Sequence, residues 1–445
     1  MTMFSRILES ALIPAYYRSK GRLYPKYRSL LEQSQWWSPE QIQQFQWREL
    51  QRLLKHSVQT VPYYKKKYAA AGIDIRDIRT MGDFAKLPPL TREEVNSHRE
   101  ALCSEVPTSK LIAHATGGSS GTPTQFFITV DSYDWRCAAS ARAYSWSGHR
   151  IGERTLYLWG APLGKVSRFG SAKMGVYRLL RREFVVPTFT QTDDLWMQTL
   201  KDCVRFEPRF IVGYVSSIEE FAQFLLRKRT TVRGIRAVIA AAEPVYARTR
   251  QLVAQAFAAP IFNAYGSREF MSIASECDRQ EGLHIHSENL LVETEFPSSG
   301  APSEFLVTDL HNYGMPFIRY RIGDTGMLSD SVCPCGRGLP LIRSVEGRVL
   351  QTLRTRAGRV VPGEFFPHLL KDVEEIREFQ VQQMSLDEIV LSVVLSRPLS
   401  DGSKTLIHHE IAKVFGSDIR IPIRPVHNIP RRPSGKRIVT AGLGR

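Results

Sequence analysis

Residues 114–129 read HATGGSSGTPTQFFIT. Three glycines, two serines and two threonines precede a proline, and the chain then turns abruptly apolar and β-branched. Such a run between two strand-like segments can wrap a phosphate, because glycine lets the backbone approach closely and hydroxyls add donors. A P-loop needs lysine and then Ser or Thr after the second glycine of G-x-x-x-x-G. Here Gly117 and Gly121 lead to Thr122 and Pro123, so that reading fails. Taken alone, the loop is equally well a surface turn.

At 445 residues the chain exceeds the roughly 250–300 at which single cores stop growing, so at least two domains are expected. A hydrophobic content of 43% and an aromatic content of 10% supply ample core material. No run reaches the ~18–20 apolar residues of a membrane span. The leading segment MTMFSRILESALIPAYYRSKGR has too short an apolar run for a signal peptide. It reads as a buried first helix, with a weakly amphipathic, surface-seeking segment as the alternative. The net charge is +16, but it is spread out: residues 349–445 hold 15 Lys/Arg against 10 Asp/Glu. A diffuse excess suits an anionic small substrate or an anionic membrane surface at least as well as nucleic acid. Six cysteines are few for a disulfide scaffold, and Cys333 and Cys335 are too close for an ordinary disulfide. Both facts point to a reducing compartment, the cytoplasm.

SPEQIQQFQWRELQRLLKH reads as a capped helix, with Ser38 before Pro39 and apolar residues at Phe45, Leu50, Leu53 and Leu54. In LPPLTREEV, Thr91 is placed to cap another. The middle of the chain alternates strand-like runs (TLYLWG, RFIVGY, IRAVIAAAEP, PIFNAYG) with helical stretches such as SSIEEFAQFLLRKR. That alternation predicts α/β layers with mostly parallel β-sheets and flanking helices. Beyond Gly347 the texture changes: EFQVQQM, EIVLSVVL and IRIPIRPV read as strands around two helices. This predicts a small α+β domain over 348–445 after a large one over 1–347. No internal repeat is present.

Three further motifs are weak singly. In NAYGSREF, Tyr265 on a turn at Gly266 could offer a ring face to a base, and Glu269 a carboxylate to Mg²⁺; a random turn competes. In YRIGDTG, Asp324 could accept hydrogen bonds from two ribose hydroxyls, against the plainer reading of a surface turn. In IPRRPSGKRIVT, Lys436 stands against the alternative of a solvated basic tail.

Taken together and in this order, TGGSSGTP, YGSRE, YRIGD and PRRPSGK resemble the nucleotide-binding and catalytic motifs of the adenylate-forming (AMP-binding) superfamily. VPYYKKKYAAAGI, AAEPV, ECDRQEGLHIH and CPCGRGLPLIRSVEGR make the chain look most like the phenylacetate–CoA ligase branch over nearly its full length, with relatives associated with capsule and exopolysaccharide biosynthesis. The resemblance implies that a small carboxylic acid attacks the α-phosphorus of ATP, and that the acyl group then passes to a thiol, coenzyme A. An amine or hydroxyl on a sugar, or a carrier-protein thiol, is the alternative acceptor; a zinc-containing basic nucleic-acid-binding protein is a more distant one, disfavoured by unpaired cysteine spacing and scattered charge. Peripheral membrane or polysaccharide-assembly association remains open on this reading.

By the same resemblance, Thr116, Gly117, Ser119, Ser120, Gly121 and Thr122 hold the β- and γ-phosphates. Glu269 binds Mg²⁺, Tyr265 and Gly266 lie at the adenine, and Glu243 and Pro244 line its pocket. Asp324 and Arg348 hold the ribose. The lysine absent from the glycine loop is Lys436, carried in by a mobile small domain. Acyl-pocket residues are expected around 135–146, 159–162 and 214–216. Cys277, His284, Cys333 and Cys335 offer three thiolates and an imidazole for a tetrahedral structural Zn²⁺ within about 277–335, with His286 as the alternative imidazole. Two departures stand out. Arg268 occupies the position of the usual Thr or Ser before the turn's glutamate. Val349-Leu350-Gln351 replaces the acidic hinge expected after Arg348.

Overall fold

A computed structural model of the chain describes every residue except 1–2, 106–110, 117–123, 160–174, 176, 189–190, 296–302, 347–348, 351–352, 362, 364, 371–372, 430–437 and 444–445. The capped helices form where expected. Pro39–Thr60 begins with a full capping box, in which the Ser38 hydroxyl accepts the Gln41 N–H at 3.3 Å and the Gln41 side chain accepts the Ser38 N–H at 2.9 Å. Its apolar positions Ile42, Phe45, Leu50, Leu53 and Leu54 are all buried, as a helical stripe facing a core requires. Thr91 caps Arg92–Ser97 in the same way.

The four strand-like runs become Thr155–Trp159, Phe210–Tyr214, Ala237–Ala241 and Ile261–Tyr265. With Glu183–Pro187 on the outside they pair in parallel, in the order Glu183–Pro187, Thr155–Trp159, Phe210–Tyr214, Ala237–Ala241, Ile261–Tyr265. Phe210–Tyr214 is buried along its whole length, as befits a strand covered on both faces.

The same sheet then changes character. From Ile261–Tyr265 it continues antiparallel through Ala274–Glu276, Leu283–Ile285, Leu341–Glu346, Tyr320–Ser329, Ser303–Asp309 and Leu290–Thr294, making 11 strands among the described residues. A mostly parallel sheet therefore describes only the half whose strands alternate with helices. In the other half most connections are too short for the crossover that parallel pairing needs.

Leu111–Ala115 and Gln125–Thr129 form a separate antiparallel pair. Beyond Glu346 the chain enters a second sheet, ordered Val349–Leu350, Ile438–Ala441, Ile376–Ser385, Glu388–Leu395, Ile423–Pro425. Helix Asp401–Phe415 packs Ile407, Ile411 and Phe415 into the core of this lobe. Tyr214 of the large lobe joins that core, and Trp159 packs against it.

The leading helical residues 3–19 depart from the expectation of a buried first helix. Only Ser5 and Leu8 are buried there. Among the described residues no helix is long and apolar enough to cross a membrane.

Candidate functional site

Three adjacent parallel strands end level with one another, Tyr214 beside Ala241 and Ala241 beside Ala264. The carboxyl edge of such strands is where open α/β sheets place their ligands. Glu243 and Pro244 leave this edge through Ala242, whose φ of +69° turns the chain sharply. The Glu243 carboxylate accepts the Ser216 N–H at 2.6 Å and the Ser216 hydroxyl at 3.0 Å. A carboxylate at the start of helix Val215–Arg227 complements its dipole, so Glu243 ties two of the edge segments together.

The next strand leads into Tyr265 and Gly266. A Cβ at position 266 would stand 2.0 Å from the Met271 carbonyl oxygen, so only glycine permits this turn. The turn brings the Tyr265 hydroxyl to Asp324, to which it donates at 2.9 Å. It also carries Glu269 inward, where the side chain is 5% exposed. Arg268 points outward and is exposed. At the end of the antiparallel pair, the Thr116 N–H donates to the Thr124 carbonyl at 3.0 Å and the Thr124 N–H to the Thr116 hydroxyl at 2.9 Å. These bonds clamp the two ends of the glycine loop. Gly117, Ser119, Ser120, Gly121, Thr122, Arg348 and Lys436 lie outside the described residues.

Two residues at this site escaped the sequence reading. The Arg92 guanidinium lies 3.4 Å from the Glu269 carboxylate, and the Tyr320 hydroxyl donates to the same carboxylate at 3.4 Å. Burial alone would loosen the proton on Arg92, but Tyr320 and Glu269 more than offset it, and its pKa is raised. A signal was available. Arg92 follows the cap Thr91 at a helix N-terminus, the end where a cation is disfavoured, so an acidic partner was to be sought.

The cysteine cluster assembles as the spacing implied. One ligand atom each from Cys277, His284, Cys333 and Cys335 lies within 4.8 Å of all the others. Cys277 Sγ is 3.7 Å from Cys333 Sγ, and Cys335 Sγ is 3.4 Å from His284 Nε2. A tetrahedron with Zn–S of about 2.3 Å and Zn–N of about 2.0–2.1 Å has edges of about 3.8 and 3.6 Å. The separations therefore fit ligands of one ion and are far too long for a disulfide. His284 Nδ1 faces the Leu339 carbonyl at 3.3 Å, an arrangement that fixes the tautomer and leaves Nε2 a lone pair toward the thiols. Burial lowers the His284 pKa to about 4, keeping the ring neutral as ligation needs.

His286 belongs to a different set. Its Nδ1 lies 3.3 Å from the Arg142 guanidinium, which forks onto Glu288 at 2.6 and 2.9 Å. Ser34 donates to Glu288, and Arg142 to the Leu31 carbonyl. Arg142, His286 and Glu288 are each 0% exposed. Among the described residues Arg142 Nε and His286 Nε2 find no hydrogen-bond partner, so the set depends on the pair itself, and losing one partner leaves a bare charge.

With this geometry in place, the likeness to known proteins is specific. Residues 353–441 match the family described as the CapK C-terminal domain. The phenylacetate-coenzyme A ligase of Thermus thermophilus is 24% identical over 434 residues, covering 89% of this chain and 95% of that protein. Protein CapK of Staphylococcus aureus is 22% identical over 369 residues, 80% of each chain. Among solved structures, 2-hydroxyisobutyryl-CoA ligase in complex with 2-HIB-AMP and CoA superposes with a TM-score of 0.60 at 20% identity, covering 91% of this chain and 90% of that one. The chain has the adenylate-forming ligase fold. It is a homologue of the phenylacetate–coenzyme A ligases and of CapK, with the CapK-type domain as its small lobe.

Proposed function

We propose that this protein activates a small carboxylic acid with ATP, releasing pyrophosphate and forming an acyl-adenylate, and then passes the acyl group to the thiol of coenzyme A. The observation that carries this reading is the bond from the Tyr265 hydroxyl to Asp324 at the carboxyl edge of the parallel strands, with Glu269 carried inward on the same turn, in a chain homologous almost end to end to ligases of this kind. Tyr265 and Gly266 lie against the adenine, with Glu243 and Pro244 lining its pocket. Asp324, oriented by the Tyr265 hydroxyl, accepts from the ribose with Arg348. The loop from Thr116 to Thr122 surrounds the β- and γ-phosphates. The protein's part is to position the reactants and neutralise charge.

Glu269 suits Mg²⁺, a hard cation that takes oxygen ligands. When bound, the ion would neutralise phosphate charge. Arg92 and Tyr320 hold the Glu269 carboxylate in place meanwhile. Cys277, His284, Cys333 and Cys335 would hold Zn²⁺ with four protein ligands and no open position, so the ion would brace the fold. A reducing compartment, the cytoplasm, suits these thiols.

The decisive experiment is ATP–pyrophosphate exchange with Mg²⁺ across a panel of carboxylic acids. An acid-dependent exchange is expected; none with any acid would overturn the reading. The CapK-type small lobe favours a second reading of the last step, with a sugar amine or hydroxyl, or a carrier-protein thiol, as acceptor in polysaccharide biosynthesis. AMP release measured with each acceptor separates the two. Tyr265→Phe removes one hydrogen bond from Asp324 and should weaken nucleotide binding about fivefold, measured by calorimetry with AMP.

A further inference from the structure

The leading residues hold a surface that this chemistry does not use. The chain is helical from Met3 to Ser19, with a π-turn over Leu8–Leu12 between two α-helical segments. A π-turn accommodates one extra residue in the helical repeat. The exposed apolar side chains follow that insertion. Met3, Ile7, Leu12 and Tyr16 are spaced by four, five and four residues, and the step of five spans the π-turn. They therefore fall on one line along the outer face, at 79%, 45%, 54% and 58% exposure. The inner side holds the helix to the protein: Ser5 and Leu8 press on Gly152, where a Cβ would come within 2.8 Å of Leu8.

The helical residues 177–181 widen the patch. Tyr177, Leu179 and Leu180 are exposed, and the Arg182 guanidinium stands 5.4 Å over the Phe4 ring, joining the two segments. Residues 3–23 and 177–180 together hold nine of the 21 exposed large apolar side chains among the described residues. Scattered surface apolar groups need no explanation, but a gathered set of this size does.

Charge selects the occupant. Residues 1–28 carry six Lys/Arg and one acid, Glu9. Glu9 is turned toward Arg28 at 3.6 Å and Arg150 at 3.5 Å. Arg22 and Arg28 pair with Asp134 and Glu32, whereas Arg6, Arg18, Lys20 and Lys26 are exposed; Arg178 lies within the second segment and Arg182 just after it. A protein partner's apolar patch would not call for this excess of cations. An anionic bilayer would, because an interfacial helix combines an apolar face buried at the headgroup boundary with basic residues beside it. We propose that this face seats the protein peripherally on an anionic lipid surface.

The test is co-sedimentation of the full chain with phosphatidylcholine vesicles, with and without phosphatidylglycerol. Binding is expected with the anionic vesicles, weaker on neutral ones and reduced by salt. Leu12→Glu should cut binding about tenfold, since it places a charge where an apolar side chain was buried. A Leu12→Trp variant should show blue-shifted emission with anionic vesicles. Both variants alter an exposed position and should keep the wild-type circular dichroism and pyrophosphate exchange. The proposal is overturned if the wild type stays in the supernatant at low salt, or if Leu12→Glu binds as well as the wild type. It is equally overturned if the patch proves to join two copies of the chain, seen as a dimer that Leu12→Glu dissociates.

Discussion

Lys436→Ala should slow acyl-adenylate formation by about 10²–10³ while changing ATP affinity far less. The expected size is that of removing one preorganised contact to charge that develops only in the transition state. Such a contact lowers the barrier without tightening the ground-state complex, so its loss falls on turnover. The glycine loop can surround phosphates with backbone donors and hydroxyls, yet it carries no cation of its own. Arg92, the cation at Glu269, is engaged with that carboxylate. The positive charge at the reacting phosphorus must come from elsewhere, and by resemblance it is the lysine of PRRPSGK. Pyrophosphate exchange near the wild-type rate in the variant would remove Lys436 from the mechanism.

The second large effect concerns the thiol cluster. Wild-type protein should purify with one equivalent of zinc, and Cys277→Ser should lose it together with stability on the order of 4 kcal/mol or more. The cluster joins segments far apart in the chain: Cys277 follows strand Ala274–Glu276, His284 lies within Leu283–Ile285, and the Cys333–Cys335 turn precedes Leu341–Glu346. Ile42, Trp146, Leu339 and Leu341 pack round it, so freeing these segments loosens both the sheet and two helices. Metal analysis and thermal unfolding give the readouts. Wild-type protein that is zinc-free yet equally stable would show that the four side chains are only neighbours. Because four protein ligands would leave the ion no open position for chemistry, the folded fraction of the variant should still exchange pyrophosphate.

Much of this was legible in the residues. Caps at Ser38 and Thr91 act through local hydrogen bonds, so sequence alone locates them. The parallel strands announced themselves as apolar runs between helices. The antiparallel half did not, because strands of three residues such as Ala274–Glu276 are too short to show a period. Glu269, Asp324 and Asp324's partner Tyr265 came from motif resemblance, but Arg92 beside Glu269 did not. Arg92 reaches Glu269 across 177 positions, and no local pattern encodes a pairing so distant. His284 and His286 alternate along the chain, and the sequence favoured the first as ligand while leaving the second as the alternative. What separates them is which face meets the cysteines and which meets Arg142, a matter of three-dimensional packing.

The Arg142–Glu288 pair also bears on how the polypeptide can be shortened. Its outer partners are the Ser34 hydroxyl and the Leu31 carbonyl, both on helix Tyr24–Ser34, which precedes every strand among the described residues. Trimming the chain back to Ser38 would strip the buried guanidinium of a carbonyl acceptor and the buried carboxylate of a hydroxyl donor. Helix Tyr24–Ser34 is therefore a keystone rather than part of a tail, and deletions that respect the protein should leave it whole.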